Sequence, residues 1–301
     1  VMLPKGRPPK HGWPVVSWAH GTTGIADSCA PSRDPGGPYT AYAAAQFGAW
    51  LDSGYAIAFT DYEGLGTPGV HPYLVGRSEG RSVVDAIRAT RQLDRRVGRL
   101  YVTAGHSQGG HAALFAAAVG PRWAPELKLR GVASFAPASH LGLLARVMTT
   151  LTTPSRLSGL SALMLRGMAT TYPRVDLKKL VSDRARALFP QVDRRCVREL
   201  YASELFGGLP PSEMLRPGAD VTAFTKALDA QNPNLKIAAP VLLLQGLTDP
   251  LTQPFMSDLL AAELRASGNR LTYLTYPGVE HIGIVGAADA RTRKFFAARL
   301  R

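Results

Sequence analysis

The chain has 301 residues, 46% hydrophobic and 19% charged, enough for one large globular domain or for a core with an inserted cap. Its formal net charge is +13, from 35 Lys and Arg against 22 Asp and Glu. Such a charge raises the question of nucleic acid, but the basic residues are scattered, with no dense run and no zinc-finger or RNA-recognition motif. The expectation is therefore a basic surface on a soluble protein, with attraction to anionic surfaces or fatty-acid aggregates left open. No apolar run is long enough to span a bilayer.

Residues 1–4 (Val1-Met2-Leu3-Pro4) read as the tail of a strand, and upstream residues, an export signal among them, are expected to have been removed. Residues 4–14 are a Pro-, Gly- and Lys-rich surface turn. A short buried strand at 15–19 runs into His20-Gly21-Thr22-Thr23-Gly24. A loop at 26–38 carries Cys29, a helix spans 39–52, and a strand spans 55–60. The long loop 61–76 carries Glu63, His71 and Tyr73. Residues 78–93 have the period of an amphipathic helix, with Val83, Val84, Ile87 and Leu93 on one face and Asp85, Arg88 and Arg91 facing out. Strands are expected at 99–105, 131–136, 240–245 and 270–276, and helices at 112–119, 254–267 and 285–299. Strands alternating with helices imply a mostly parallel sheet covered on both faces. Residues 138–238 break the alternation: they show helical periodicity and no good strand. The expected organisation is therefore a core of residues 1–137 and 239–301 with a helical cap, 138–238, inserted between two sheet strands.

The stretch Gly105-His106-Ser107-Gln108-Gly109 supplies the chemistry. A strand, a Gly-x-Ser-x-Gly turn and a helix of small residues form a nucleophile elbow, which lifts the serine above the sheet edge. The bare pattern is weak, since Gly76-Arg77-Ser78-Glu79-Gly80 also fits. Ser78 follows a Gly/Pro-rich loop and opens a helix, which suits a cap, with Glu79 placed for the first turn. Serine needs a base, and the base an orienting acid. In an α/β-hydrolase these follow in the order Ser, Asp or Glu, His. Asp249 stands just past the Leu-rich strand and His281 just past the last one. Rivals fit less well: Asp220 and Asp229 fall in the cap, His111 lies one turn into the elbow helix, and His140 has no suitable acid between it and Ser107. The oxyanion donors would be the backbone N–H of Gln108 and that of Thr22, on the loop after the first strand.

Trp18-Ala19-His20-Gly21-Thr22-Thr23-Gly24, Cys29-Ala30-Pro31-Ser32, Thr60-Asp61-Tyr62-Glu63-Gly64-Leu65-Gly66 and the Ser107 motif together resemble the secretory lipase family of actinobacteria and fungi, which includes the yeast lipase A type. The resemblance implies an α/β-hydrolase with a helical lid, ester substrates, no cofactor and export from the cell. It assigns the triad to Ser107, Asp249 and His281. Cys29 and Cys196 lack metal-ligand spacing and are either one disulfide or two buried thiols. Leu141, Leu144, Met148 and Leu151, and again Leu160, Met164 and Met168, share helical faces that serve either as an acyl tunnel or as ordinary packing. Tyr62, Glu63 and His71 are expected to shape the mouth of the site. The expected activity is hydrolysis of small-molecule or lipid esters of short to medium acyl length. An acyltransferase or peptidase using the same triad, or a catalytically silent scaffold, are the alternatives.

Overall fold

The computed structural model describes residues 1–34, 37 and 40–300. Six strands form its sheet: β1 (Trp13–Ala19), β2 (Ala56–Phe59), β3 (Val97–His106), β4 (Lys128–Phe135), β5 (Val241–Gly246) and β6 (Leu271–Tyr276). All pair in parallel, in the order β2-β1-β3-β4-β5-β6. Helices α1 (Ala41–Asp52), α2 (Gly76–Leu93) and α3 (Gln108–Trp123) connect the first four strands. Between β4 and β5 come α4 (Leu141–Met148), α5 (Leu157–Thr171), α6 (Leu177–Leu180), α7 (Asp183–Leu188), α8 (Val197–Leu200) and α9 (Thr222–Asp229). After β5 follow α10 (Pro254–Ala266) and, beyond β6, α11 (Ile284–Ala287) and α12 (Asp289–Ala297).

Every residue of β1 is buried, and its side chains alternate between two cores, as a strand covered on both faces requires. Val16 and Trp18 point into an aromatic cluster with Phe47, Trp50, Phe135 and Phe296, on the side of α1 and α12. Trp13, Val15 and Ala19 point the other way, onto Val83, Val84 and Ile87 of α2 and Ala112 and Ala116 of α3. β3 and β4 begin two and three residues before the expected starts. Arg99, Lys128 and Arg130 hide the apolar pattern there, yet backbone pairing with neighbouring strands carries the ladder outward past them. Leu93, the last residue of α2, is 76% exposed rather than part of that helix's buried face. The final helix divides at Ala288. The expected start of the first helix at Tyr39 and end of the preceding loop at Pro38 lie outside the described residues. Met2 forms an antiparallel bridge to Ile57, so the first residues extend the sheet at its β2 edge.

The segment between β4 and β5 packs around Leu163, Met168, Leu200, Phe206 and Phe224, in a core that also takes Ile25, Tyr73, Leu74 and Val75 from earlier loops. Met148 and Met168 are spent on this packing. Cys29 and Cys196 form a disulfide across 167 residues, joining the loop after β1 to the start of α8. Alongside it Gly24 bridges Cys196, and the Val197 N–H donates to the Thr23 carbonyl at 2.8 Å. Among the described residues no helix is long and apolar enough to cross a membrane.

Closing so long a loop restricts the unfolded chain strongly. The Cys29→Ala/Cys196→Ala variant is expected to lose about 2–4 kcal/mol of stability, read as a lowered urea midpoint relative to the oxidised parent.

Candidate active site

The strand order creates the site. From β1 the chain moves to β2 on one side and then returns to β3 on the other. At such a switch point the loops leaving the two strands diverge and open a crevice at their carboxyl ends. The loop after β1 carries Thr22; the turn after β3 carries Ser107. Pairing of Ala19 with Gly105 sets the two side by side.

Ser107 has φ 59° and ψ −118°, a left-handed backbone that a side chain tolerates only where its surroundings enforce it. Two glycines supply the enforcement. A Cβ on Gly109 would lie 1.9 Å from the Ala19 carbonyl oxygen, and one on Gly105 would lie 2.2 Å from that of Gly109. Strand, turn and helix therefore approach more closely than any side chain permits. The Ser107 N–H donates to the Phe135 carbonyl at 2.9 Å, which anchors the turn to β4. Gln108 opens α3, where the first N–H groups have no partner within the helix.

Asp249 and His281 meet across the loops after β5 and β6. The His281 Nδ1–H donates to Asp249 Oδ2 at 2.6 Å. The other carboxylate oxygen accepts the Leu251 and Thr252 N–H groups at 2.8 and 3.0 Å, and the Thr252 hydroxyl donates to Oδ2 at 2.8 Å. Burial alone would raise the Asp249 pKa; the hydrogen bond and charge of His281, with these donors, hold it below the ordinary carboxylate value. A hydrogen-bonded chain fixes the histidine from behind. Because the His281 carbonyl can only accept, His106 donates to it from Nε2 at 2.8 Å. Nδ1 of His106 then accepts from the Tyr42 hydroxyl at 3.2 Å, which in turn accepts the Gly21 N–H at 3.3 Å. Burial, and then His281, keep the His106 pKa well below its ordinary value, consistent with this neutral ring. Tyr42 and His106 thus join the Thr22 loop to the His281 loop, a role the sequence reading did not give them.

Ser107, His281, Thr22 and Gln108 line one cavity of about 350 Å³, with Leu141, Leu144, Leu160 and Met164 of α4 and α5 on its far wall. The two helical stripes therefore split between the cavity wall and packing within the segment between β4 and β5. Thr22 is held by a 2.8 Å hydrogen bond between its hydroxyl and that of Tyr73, also in the wall.

Three expected mouth residues are placed elsewhere. Tyr62, Glu63 and His71 do not line the cavity. The left-handed backbone at Tyr62 turns its ring inward, where it stacks on His71 and donates to the His20 carbonyl at 2.9 Å. The Glu63 carboxylate accepts from Ser78, which ties down the second Gly-x-Ser-x-Gly match. His71 is fully buried behind Gln108. His111 is buried against Glu79, and His140 opens α4 near Glu263. Asp220 accepts the Thr222 N–H just before α9, and Asp229 pairs with Arg146. Sequence reasoning missed Glu79. Its signal was present: Gly76, Gly80, Val83 and Ile87 share its helical face, so its carboxylate faces the core.

A family sequence model described as "Secretory lipase" matches residues 39–282. The chain belongs to the secretory lipase family. Its fold is that of the α/β-hydrolases: it superposes on the closed state of Candida antarctica lipase A with a TM-score of 0.78 at 17% identity, covering 98% of this chain and 72% of that one. It is 26% identical over 317 residues to a Mycobacterium tuberculosis protein named "Probable inactive lipase", spanning 99% of this chain and 68% of the other. A secreted triacylglycerol lipase of Malassezia furfur is 32% identical over 133 residues, 43% of this chain but only 23% of its own length.

Gly109→Ala is expected to abolish the soluble, cooperatively unfolding protein, because its Cβ meets backbone on β1 rather than a movable side chain; thermal unfolding checks this. Acid should weaken the fold in two stages. His20, lowered to about 4 chiefly by burial, and His71 and His106, also lowered chiefly by burial, stay neutral in the fold. The unfolded chain takes up their protons below its ordinary value of 6.5, so stability falls as pH drops from 6.5 toward 4. Asp249 and Glu79, both held low in the fold, add a further loss below about 4.5 as the unfolded carboxylates protonate first. Urea midpoints measured against pH should decline through both windows.

Proposed function

We propose that this member of the secretory lipase family is a serine carboxylic-ester hydrolase. The observation that carries the reading is the convergence on one apolar cavity of Ser107 at a strained elbow and of His281 paired with buried Asp249. Ser107 Oγ attacks the ester carbonyl carbon while His281 Nε2 takes its proton. The negative charge that develops on the carbonyl oxygen is held by the backbone N–H groups of Gln108 and Thr22, each such donor contributing about 3–4 kcal/mol. Asp249 keeps His281 in the required tautomer and stabilises the imidazolium. Collapse of the tetrahedral intermediate breaks the bond to the alcohol, which leaves with the proton from His281. Water, deprotonated by the same ring, then cleaves the acyl-enzyme and restores Ser107. Every proton and bond is accounted for without a cofactor.

A cavity of about 350 Å³ lies at the small end of ligand pockets, which supports short to medium acyl chains. Ile282, beside His281 and 52% exposed at the cavity rim, and the +13 charge support contact with lipid aggregates. The disulfide supports a working place in an oxidising, extracytoplasmic compartment, in line with the family's name. The name of the mycobacterial relative favours a second reading, a catalytically silent scaffold; against it stand the intact Ser107, Asp249 and His281.

Initial rates on p-nitrophenyl esters of increasing acyl length decide between the two. The parent should turn over, with an optimum at short or medium chains, and Ser107→Ala should lose at least about 10³-fold of kcat. An inactive parent across the series would favour the silent scaffold.

A further inference from the structure

Behind the proposed oxyanion hole lies a buried polar cluster that no step of the ester hydrolysis uses. At its centre is Glu79, fully buried on α2. Close packing brings it there: a Cβ on neighbouring Gly80 would stand 2.8 Å from the Ala116 backbone nitrogen, so α2 lies directly on α3. Glu79 Oε1 accepts the Leu74 N–H at 2.9 Å and the Gln108 side-chain amide at 2.7 Å, and Oε2 faces His111 Nδ1 at 3.0 Å.

The partners fix the orientation of Gln108. His71 donates from Nδ1 to the Glu63 carbonyl, so its neutral ring presents Nε2 as an acceptor, 3.0 Å from Gln108 Nε2. Both amide protons of Gln108 are thereby used, one on Glu79 and one on His71, and only one rotamer and one flip satisfy both. His111 is held as firmly. Its Nε2 donates to the Gln231 carbonyl at 2.9 Å while Nδ1 faces Glu79 Oε2, so a single proton lies between ring and carboxyl. Burial opposes ionisation of Glu79, but its contacts with His111 and Gln108 outweigh it and hold the Glu79 pKa low. Gln231 belongs to the segment following α9, and its amide reaches Tyr172 at the end of α5 at 2.6 Å. The cluster therefore runs from the cap to the first residue of α3.

We infer that Glu79 is a positioning residue: through the side chain of Gln108 it holds the backbone N–H of Gln108 at the place where the oxyanion forms. The inference rests on the ester-hydrolase reading. A fully buried carboxylate with three fixed partners holds them to a few tenths of an ångström, the tolerance a preorganised donor requires. A carboxylate serving stability alone would not distinguish bound substrate from transition state.

The test measures kcat, KM and affinity for a phenylboronic acid, which forms a tetrahedral adduct on the serine. The parent, Glu79→Gln, Gln108→Leu and the double variant are compared, each checked for cooperative thermal unfolding. The expected result is a fall of about tenfold in kcat and in boronic acid affinity for either single variant, with KM within about twofold. The double variant should lose no more than the single ones. If Glu79→Gln keeps the parent's kcat and boronic acid affinity, or if KM changes while kcat holds, the positioning role is overturned and the hydrolase reading survives. Additive losses in the double variant overturn the route through Gln108. Should Glu79→Gln fail to fold, Gln108→Leu decides: unchanged kcat overturns the inference and a tenfold loss at constant KM supports it. A parent that hydrolyses no ester overturns the underlying reading and the inference with it.

Discussion

The site depends on one steric fact, the missing Cβ at Gly109. The carbonyl oxygen of Ala19 stands 1.9 Å from where that carbon would be. The end of β1 and the start of α3 therefore touch backbone to backbone. That contact brings the Thr22 loop against the Ser107 turn, and it makes the left-handed Ser107 the conformation that the surrounding chain enforces. Strain of this kind persists only when neighbouring structure over-determines it, and here β1, β4 and α3 all do so.

Once the turn is fixed, polar side chains finish the arrangement. One chain of hydrogen bonds passes from Gly21 through Tyr42 and His106 to the backbone of His281. A second passes from Tyr172 and Gln231 through His111 and Glu79 to Gln108. Buried polar groups are costly unless fully paired, and when paired they specify one geometry. The first chain sets the distance between the loops on either side of the crevice. The second ties the helical segment above the cavity to the helix below it.

The parallel sheet, the elbow and the residues that converge on the cavity were legible because each rests on a local signal. Apolar runs mark strands, Gly-x-Ser-x-Gly marks a close approach, and Asp249 and His281 stand one loop past a strand. Tyr62, Glu63 and His71 were misplaced because their positions depend on a positive φ at Tyr62 and on stacking against His20 and His71, neither of which leaves a periodic trace. Glu79 was read as a first-turn charge although it lies on the apolar face of α2; its partners come from residues 74, 108 and 111, which only the packing of α2 on α3 brings together. The division of Leu and Met stripes between cavity and cap core was likewise a matter of tertiary contact.

The Cys29–Cys196 bond also sets the covalent topology of the molecule. It closes residues 29–196 into a ring. Ser107 lies inside that ring, whereas Asp249 and His281 lie on the tail outside it. A single backbone cut anywhere within the ring, through most of the helical segment, leaves every fragment linked. A single cut between residues 197 and 240 divides the chain into two pieces, one with the serine and the other with the acid and the base. Those pieces would be held together only by non-covalent contacts, among them the β4–β5 ladder, the cores on the sheet and the His106 bond to the His281 carbonyl. For a protein exposed to proteases, residues 197–240 are therefore the one stretch above the cavity where the backbone has no covalent second path.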